Sequence, residues 1–244
     1  MSDPLKSFLF AVVLCLISSI LLTAASTGLQ SYQQANMRVD RHRSILLALG
    51  LVTESEPRSV REIEAIFSKQ VRSYGMSSDG RLVEEDRGGA GLLPLYVRMD
   101  DGEIGAYVIP VDSRGLWGRI QGYLAIERDG STIAGFAVFK HSETPGLGGE
   151  IEKEWFRKKW IGKKIVDRNG NFVSVVIAGG RVQEGVRGEK KENYVDGISG
   201  ATLTGKFLTT GVKEVLEAYE PMAIRFRRSA VTDSKIKQER PENG

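Results

Sequence analysis

Two short segments carry residue types whose spacing could do chemistry. Asp196-Gly197-Ile198-Ser199-Gly200-Ala201-Thr202 is a glycine-rich turn that runs into a helical pattern. The first amides of a helix lack intrahelical acceptors, and the macrodipole favours an anion there by about 0.3–1 kcal/mol. Ser199, Gly200, Ala201 and Thr202 are therefore placed to receive a phosphate, with Thr202 adding a hydroxyl at the same spot. The plainer alternative is that Ser199 or Thr202 serves only as the helix N-cap. The second segment, Glu143-Thr144-Pro145-Gly146-Leu147-Gly148-Gly149-Glu150, follows a strand pattern that ends near Lys140. Pro145 and three glycines make a tight exposed loop whose backbone can lie against a flat ligand, with Leu147 as an apolar contact; a plain turn is the alternative. Spacing alone identifies no ligand for either segment.

Scarcity closes other routes. Cys15 is the only cysteine, so an intramolecular disulfide, cysteine-ligated zinc and a self-contained iron–sulfur cluster are excluded. His42 and His141 are the only histidines, which rules out a three-histidine metal site, and no metal ligand or catalytic residue is assigned. Net charge is only +3, and residues 227–244 hold five basic and three acidic groups, leaving +1 for the rest. Nucleic-acid binding through a basic field has little support, because phosphate neutralisation needs clustered Lys and Arg on a folded face. No dinucleotide fingerprint follows any strand pattern.

Several elements must position these segments. Pro57 to Tyr74 reads as a helix, with Ser59 and Glu62 as a capping box and Val60, Ile63, Ile66, Phe67 and Val71 at helical spacing. Asp79 to Gly91 reads as a loop or linker. Strand signals cover Leu95–Met99, Ile104–Val111, Arg119–Glu127, Thr132–Lys140 and Asn171–Ile177, bounded by Asp101-Gly102, Asp129-Gly130 and Asn169-Gly170. Several of these are antiparallel hairpin candidates. From Ser199 onward Leu203, Phe207, Leu208, Val212, Val215, Leu216 and Tyr219 form a helical apolar face, expected to end near Pro221. Trp117 and Trp155, at element borders, are expected in the core, the alternative being neighbours of a bound ring.

At the amino end no Asp, Glu, Lys or Arg occurs between Lys6 and Arg38. As a helix, Phe8 to Leu29 would span about 33 Å, enough to cross the hydrocarbon core. The rival is a cleaved signal peptide, with Thr23-Ala24-Ala25 as the small-residue site; the uncharged continuation to Met37 favours a retained anchor. Leu14 before Cys15 is too large for a lipoprotein site. Lys6 on one side and Arg38, Arg41 and Arg43 on the other leave the orientation undecided by charge.

The two segments in this order, behind one apolar helix, resemble the covalent-FMN-binding domain family of bacterial respiratory complexes, most closely the C subunits of sodium-translocating NADH:quinone reductases. Gly115-Leu116-Trp117-Gly118, the strand end Tyr123-Leu124-Ala125-Ile126, Trp155-Phe156 and Trp160-Ile161-Gly162-Lys163-Lys164 are similar to that family too. The resemblance covers nearly the whole chain and is weakest at Ser77–Gly91 and in the tail. It implies an α+β fold: one transmembrane helix, then a single FMN-binding domain with an antiparallel sheet and flanking helices. The expected organisation is a stub at 1–7, the transmembrane helix at 8–29, a helical connecting region packed on the domain at 30–91, the FMN-binding domain at 92–226 and a mobile tail at 227–244.

The resemblance further implies that Thr202 carries FMN through a phosphoester bond, with Ser199, Gly200 and Ala201 around the phosphate. By the same resemblance Glu143, Thr144, Gly146, Leu147 and Gly148 flank the isoalloxazine ring. Lys206, with Lys140, is a candidate for stabilising a negatively charged reduced flavin; a solvated surface lysine is the alternative. Asp196, repelled by a phosphodiester, is expected to serve the turn or the modifying enzyme. The Thr202 hydroxyl is a poor nucleophile, and members of this family receive their flavin from a separate metal-dependent transferase that uses FAD. The implied role is electron carriage inside a membrane complex that oxidises NADH, reduces quinone and moves sodium, with NADH bound by another subunit. The implied location is a bacterial inner membrane, single-pass, with the flavin domain on the periplasmic side. Alternatives are the G subunit of an Rnf-type complex and a membrane-anchored binding or assembly module without cofactor.

Overall fold

The computed structural model describes residues 3–84, 91–100, 102–182 and 188–238. The chain opens with helix α1 (Asp3–Ala48). Its stretch Asp3–Gln30 holds an 18-residue window of mean hydropathy 2.6 and is long and apolar enough to cross a membrane. Phe8, Leu16 and Leu22 are exposed there, as side chains that face lipid must be. Residues up to Asp40 form one compact unit and residues from Arg41 onward another.

Within the second unit the last turns of α1 bury Ile45, Leu46 and Ala48. They stop at Gly50, whose φ of +69° lets Leu51 N–H donate to Leu46 C=O and Gly50 N–H to Leu47 C=O, a Schellman end. Helix α2 (Val60–Gln70) begins with the expected capping box: Glu62 N–H donates to Ser59 Oγ, and Ser59 N–H donates to Glu62 Oε2. Helix does not continue to Tyr74. Val71–Met76 is strand β1, and Leu82–Glu84 is β2 inside the expected linker. The segment 30–91 is thus not wholly helical, because the open edge of the sheet offers Val71–Met76 a full hydrogen-bond ladder that outweighs the helical periodicity. The part of the expected linker at 85–90 lies outside the described residues.

The sheet runs β2-β1-β3-β4-β5-β6, with every neighbour antiparallel. Strands β3 (Leu93–Asp100), β4 (Glu103–Arg114), β5 (Arg119–Glu127) and β6 (Ile133–Lys140) sit on the segments expected from alternation and turn dipeptides. Asn171–Ile177 is different. Only β7 (Val176–Ile177) is strand, paired in parallel with β8 (Tyr194–Val195), because buried Ser174 at φ +65° breaks the extended run.

Helix α4 (Thr202–Gln238) covers one face of the sheet. Its buried residues Leu208, Val212, Leu216, Tyr219 and Met222 join Tyr107, Ile109 and Val111 of β4 in the core, and Phe226 stacks on Tyr107. Val108, next to Tyr107, points the other way and pairs with Tyr96, against which Phe67 of α2 packs edge-on. The far face therefore belongs to α2 and the end of α1, where Gly135 lies against Ala48 C=O.

Helix α4 does not end near Pro221 as expected. Proline removes one backbone donor, but tertiary contacts hold the turns on either side. The Gly80 turn packs directly on the Pro221 backbone, Met222 and Ala223 are buried, and Arg227 donates to Gly130 C=O at 2.9 Å. Of the tail expected to be mobile from Arg227, residues up to Gln238 extend the helix, and 239–244 lie outside the described residues.

Candidate functional site

Strand β6 delivers the chain to the Glu143–Glu150 segment. Thr144 C=O accepts from Leu147 N–H at 3.1 Å, with Pro145 and Gly146 at the corners and Gly146 at φ +74°, the geometry of a type II turn. A 3₁₀ turn over Gly148–Glu152 and helix α3 (Glu154–Arg157) follow. The Asp196–Thr202 segment reaches α4 through Gly200, at φ +74°, where an added Cβ would lie 2.8 Å from Leu147 Cδ2. The two segments, far apart in the chain, touch there.

Ala201 C=O accepts from Gly205 N–H, which makes Ala201 the N-cap of α4. Neither Ser199 nor Thr202 holds that position. Alanine has no side-chain oxygen with which to cap the first-turn amides, and Thr202 is exposed beside them.

Leu116, Trp117, Glu143, Thr144, Leu147, Gly148 and Gly200 through Thr204 line a cleft of about 340 Å³. Glu143, the one charged side chain in this lining, is turned inward and only 4% exposed. Its Oε2 accepts from Thr204 Oγ1 at 2.5 Å and its Oε1 from Trp117 N–H at 3.0 Å. Two glycines make room for the carboxylate: a Cβ on Gly115 would come 2.5 Å from Oε1, and one on Gly148 2.6 Å from both Oε2 and Thr204 Oγ1. One carboxylate thus ties the β4–β5 turn, the β6 loop and the first turn of α4 together.

A second brace runs along the surface. Trp155 Nε1 donates to Glu150 Oε2, Lys159 lies over the Trp155 ring, and Lys159 Nζ donates to Asp196 Oδ2 at 2.7 Å. Asp196 Oδ1 also accepts from Val182 N–H, so Asp196 serves the turn. Partial burial would raise its carboxyl, but the Lys159 and Val182 hydrogen bonds prevail and hold it below the ordinary aspartate range.

Of the residues singled out from sequence, Glu143, Thr144, Leu147, Gly148, Gly200, Ala201 and Thr202 meet at the cleft. Ser199 is exposed just before it, Gly146 is at the tip of the loop, and Lys206 is exposed one turn beyond Thr202 on α4; none of the three is in the lining. Lys140 is exposed at the end of β6, paired with Gln121. Both tryptophans expected in the core are outside it. Trp117 is 69% exposed on the rim of the cleft and Trp155 42% exposed, whereas Trp160 takes the buried place. Trp117 takes the ligand-side alternative to the core, and Leu116, Leu203 and Thr204 join the cleft without having been singled out from the sequence; the signal for Leu116 and Trp117 is a leucine and an aromatic held out between Gly115 and Gly118.

A larger and more open groove, about 900 Å³, lies between Asp129–Ser131 and the Glu220–Ala230 part of α4. Its volume does not make it the site. Asp129 caps Ser131 and Thr132, and Arg227 is paired with Glu220, so its charges are already committed to the fold.

Residues 115–217, starting at the rim of the cleft, match the family described as FMN-binding domain. The C subunit of Na(+)-translocating NADH-quinone reductase from Yersinia pestis is 33% identical, over 82% of this chain and 83% of that protein. The corresponding C subunit of Pseudomonas aeruginosa is 30% identical, over 82% of this chain and 87% of its own length. The crystal structure of the C subunit from Parabacteroides distasonis superposes with a TM-score of 0.67 at 29% identity, covering 80% of this chain and 96% of that one.

Proposed function

Because this chain belongs to the C-subunit family of Na(+)-translocating NADH-quinone reductases, we propose that it carries electrons within such a complex through one FMN esterified to Thr202. The observation that carries this reading is an exposed threonine, Thr202, at the start of a long helix whose N-cap is alanine. A phosphate on Thr202 Oγ1 finds first-turn amides with no side-chain cap competing for them, together with the positive end of the helix. Leu116, Trp117, Leu147 and Leu203, all exposed, give the same cleft an apolar rim suited to a flat ring. The flavin, when bound, supplies one-electron chemistry that no side chain here can.

The chain's own part is placement. Glu143 fixes the loop and the helix start relative to each other, and the apolar rim limits water at the ring. Ser199, Gly146 and Lys206 stand close outside, where Ser199 can donate to the phosphate and Lys206 contributes positive charge one turn away. Among the described residues no base is hydrogen-bonded to the Thr202 hydroxyl. The ester is made by a separate metal-dependent transferase with FAD as donor: Thr202 Oγ1 bonds to the FMN phosphorus, the pyrophosphate bond breaks, AMP departs and the hydroxyl proton is released. Helix α1 anchors the chain in the inner membrane, with the flavin domain on the periplasmic side, other subunits as electron partners and NADH bound elsewhere in the complex.

Intact-mass measurement tests the assignment. The native chain is expected to show one FMN increment, lost in Thr202→Ala and retained at least in part by Thr204→Ala. An undiminished increment on Thr202→Ala refutes it.

A further inference from the structure

His141 stands at the base of the cleft loop, immediately after β6, with its side chain only 15% exposed. Its Nδ1 accepts from Glu143 N–H at 3.1 Å. A main-chain amide can only donate, so Nδ1 holds a lone pair and the ring proton sits on Nε2. That nitrogen donates to Glu152 Oε2 at 3.1 Å. The Lys153 ammonium, opposed by modest burial and helped by the His141 ring, keeps the Glu152 carboxyl below its ordinary range, which suits it as acceptor. Gly149 backs the ring: a Cβ there would lie 3.4 Å from His141 Cε1 and 3.1 Å from Thr144 C=O.

The ring therefore joins the first residue of the loop to the far end of the 3₁₀ turn that closes it. Residues 141–144 have no regular structure, so no strand or helix ladder fixes Glu143. Glu143 in turn holds Trp117 N–H and Thr204 Oγ1.

We propose that His141, as the Nε2–H tautomer, is a positioning residue of the flavin cleft, acting through Glu143 to set the loop against the first turn of α4. The role at the cleft rests on the flavin assignment above; the tautomer and the loop bond do not. Asparagine at 141 keeps the part that matters. Its Oδ1 can accept from the amide two residues on, the Asx-turn bond, while leucine offers no acceptor.

The test uses the full chain in detergent with His141→Leu and His141→Asn. In alkaline buffer the ring ¹⁵N spectrum of the native chain is expected to show protonated Nε2. Exchange of the Glu143 amide is expected to become about tenfold faster in His141→Leu and to return near the native rate in His141→Asn. The midpoint potential of the bound flavin is expected to shift in His141→Leu and to be restored in His141→Asn. A ring protonated on Nδ1, unchanged Glu143 exchange in His141→Leu, or equal potential shifts in both variants overturns the proposal. If the native chain carries no FMN, the flavin assignment fails, and with it the role at the cleft. The ring spectrum and the amide exchange, repeated on Thr202→Ala, still decide whether His141 holds the loop.

Discussion

Removing the Glu143 carboxylate is the sharpest perturbation of the cleft. Glu143→Ala leaves Trp117 N–H and Thr204 Oγ1 without their acceptor, and Thr204 is 2% exposed, so water cannot readily replace it. Each buried group left unsatisfied costs about 1–3 kcal/mol. With the Trp117 amide only partly buried, the two together give an expected loss of about 2–4 kcal/mol. Glu143→Gln should cost less than about 1 kcal/mol, since the amide oxygen can accept from Trp117 N–H while its NH₂ donates to the Thr204 hydroxyl, which both donates and accepts. Urea unfolding of the domain, followed by tryptophan emission with the chain in detergent, reads both numbers as shifts in midpoint at constant slope. A loss below about 0.5 kcal/mol for Glu143→Ala, or equal losses for Ala and Gln, would show that the carboxylate does not tie these elements together.

Leu147→Glu should leave the covalent FMN yield near native, because Leu147 is exposed and attachment depends on Thr202. It should lower the flavin potential by placing charge beside the ring; an unchanged potential and unchanged turnover would remove this loop from the ring contact. Protease added to spheroplasts should degrade the flavin domain, and digestion confined to inverted vesicles would reverse the proposed topology. The Asp196 carboxyl is held below the ordinary value of 3.8, so its contribution to the turn is full above that value and fades as pH falls through the lowered one. The Val182 amide shift should therefore stay constant at about pH 5 and move only in stronger acid, with Lys159→Met bringing the change to higher pH; a pH profile unaffected by Lys159→Met would exclude the ion pair as its cause.

Local pattern was enough for a large part of this molecule. Alternation and turn dipeptides located β3 to β6, with Arg119–Glu127 matched to the residue, and the Ser59–Glu62 pair marked the start of α2. The same kind of evidence put Thr202 at the start of a helix and found an apolar stretch long enough to cross a membrane. These features depend on residues within a few positions of one another, where backbone sterics, capping and side-chain periodicity act directly.

What tertiary structure decided has the opposite character. Val71–Met76 has a helical pattern on its left and becomes strand because β3 offers it a ladder. Helix α4 passes Pro221 because Gly80, Met222 and Arg227 hold the turns around it. Trp117 and Trp155 have the composition of core residues, yet the tight Gly115–Gly118 turn and the Glu150–Trp155–Lys159 brace keep them at the surface while Trp160 is buried. Above all, Glu143 and Thr204 are 61 positions apart, and each alone reads as an ordinary polar residue. Their pairing exists only because the sheet and α4 bring two separate turns within hydrogen-bond reach, and no periodicity in either segment records a partner that distant in the chain.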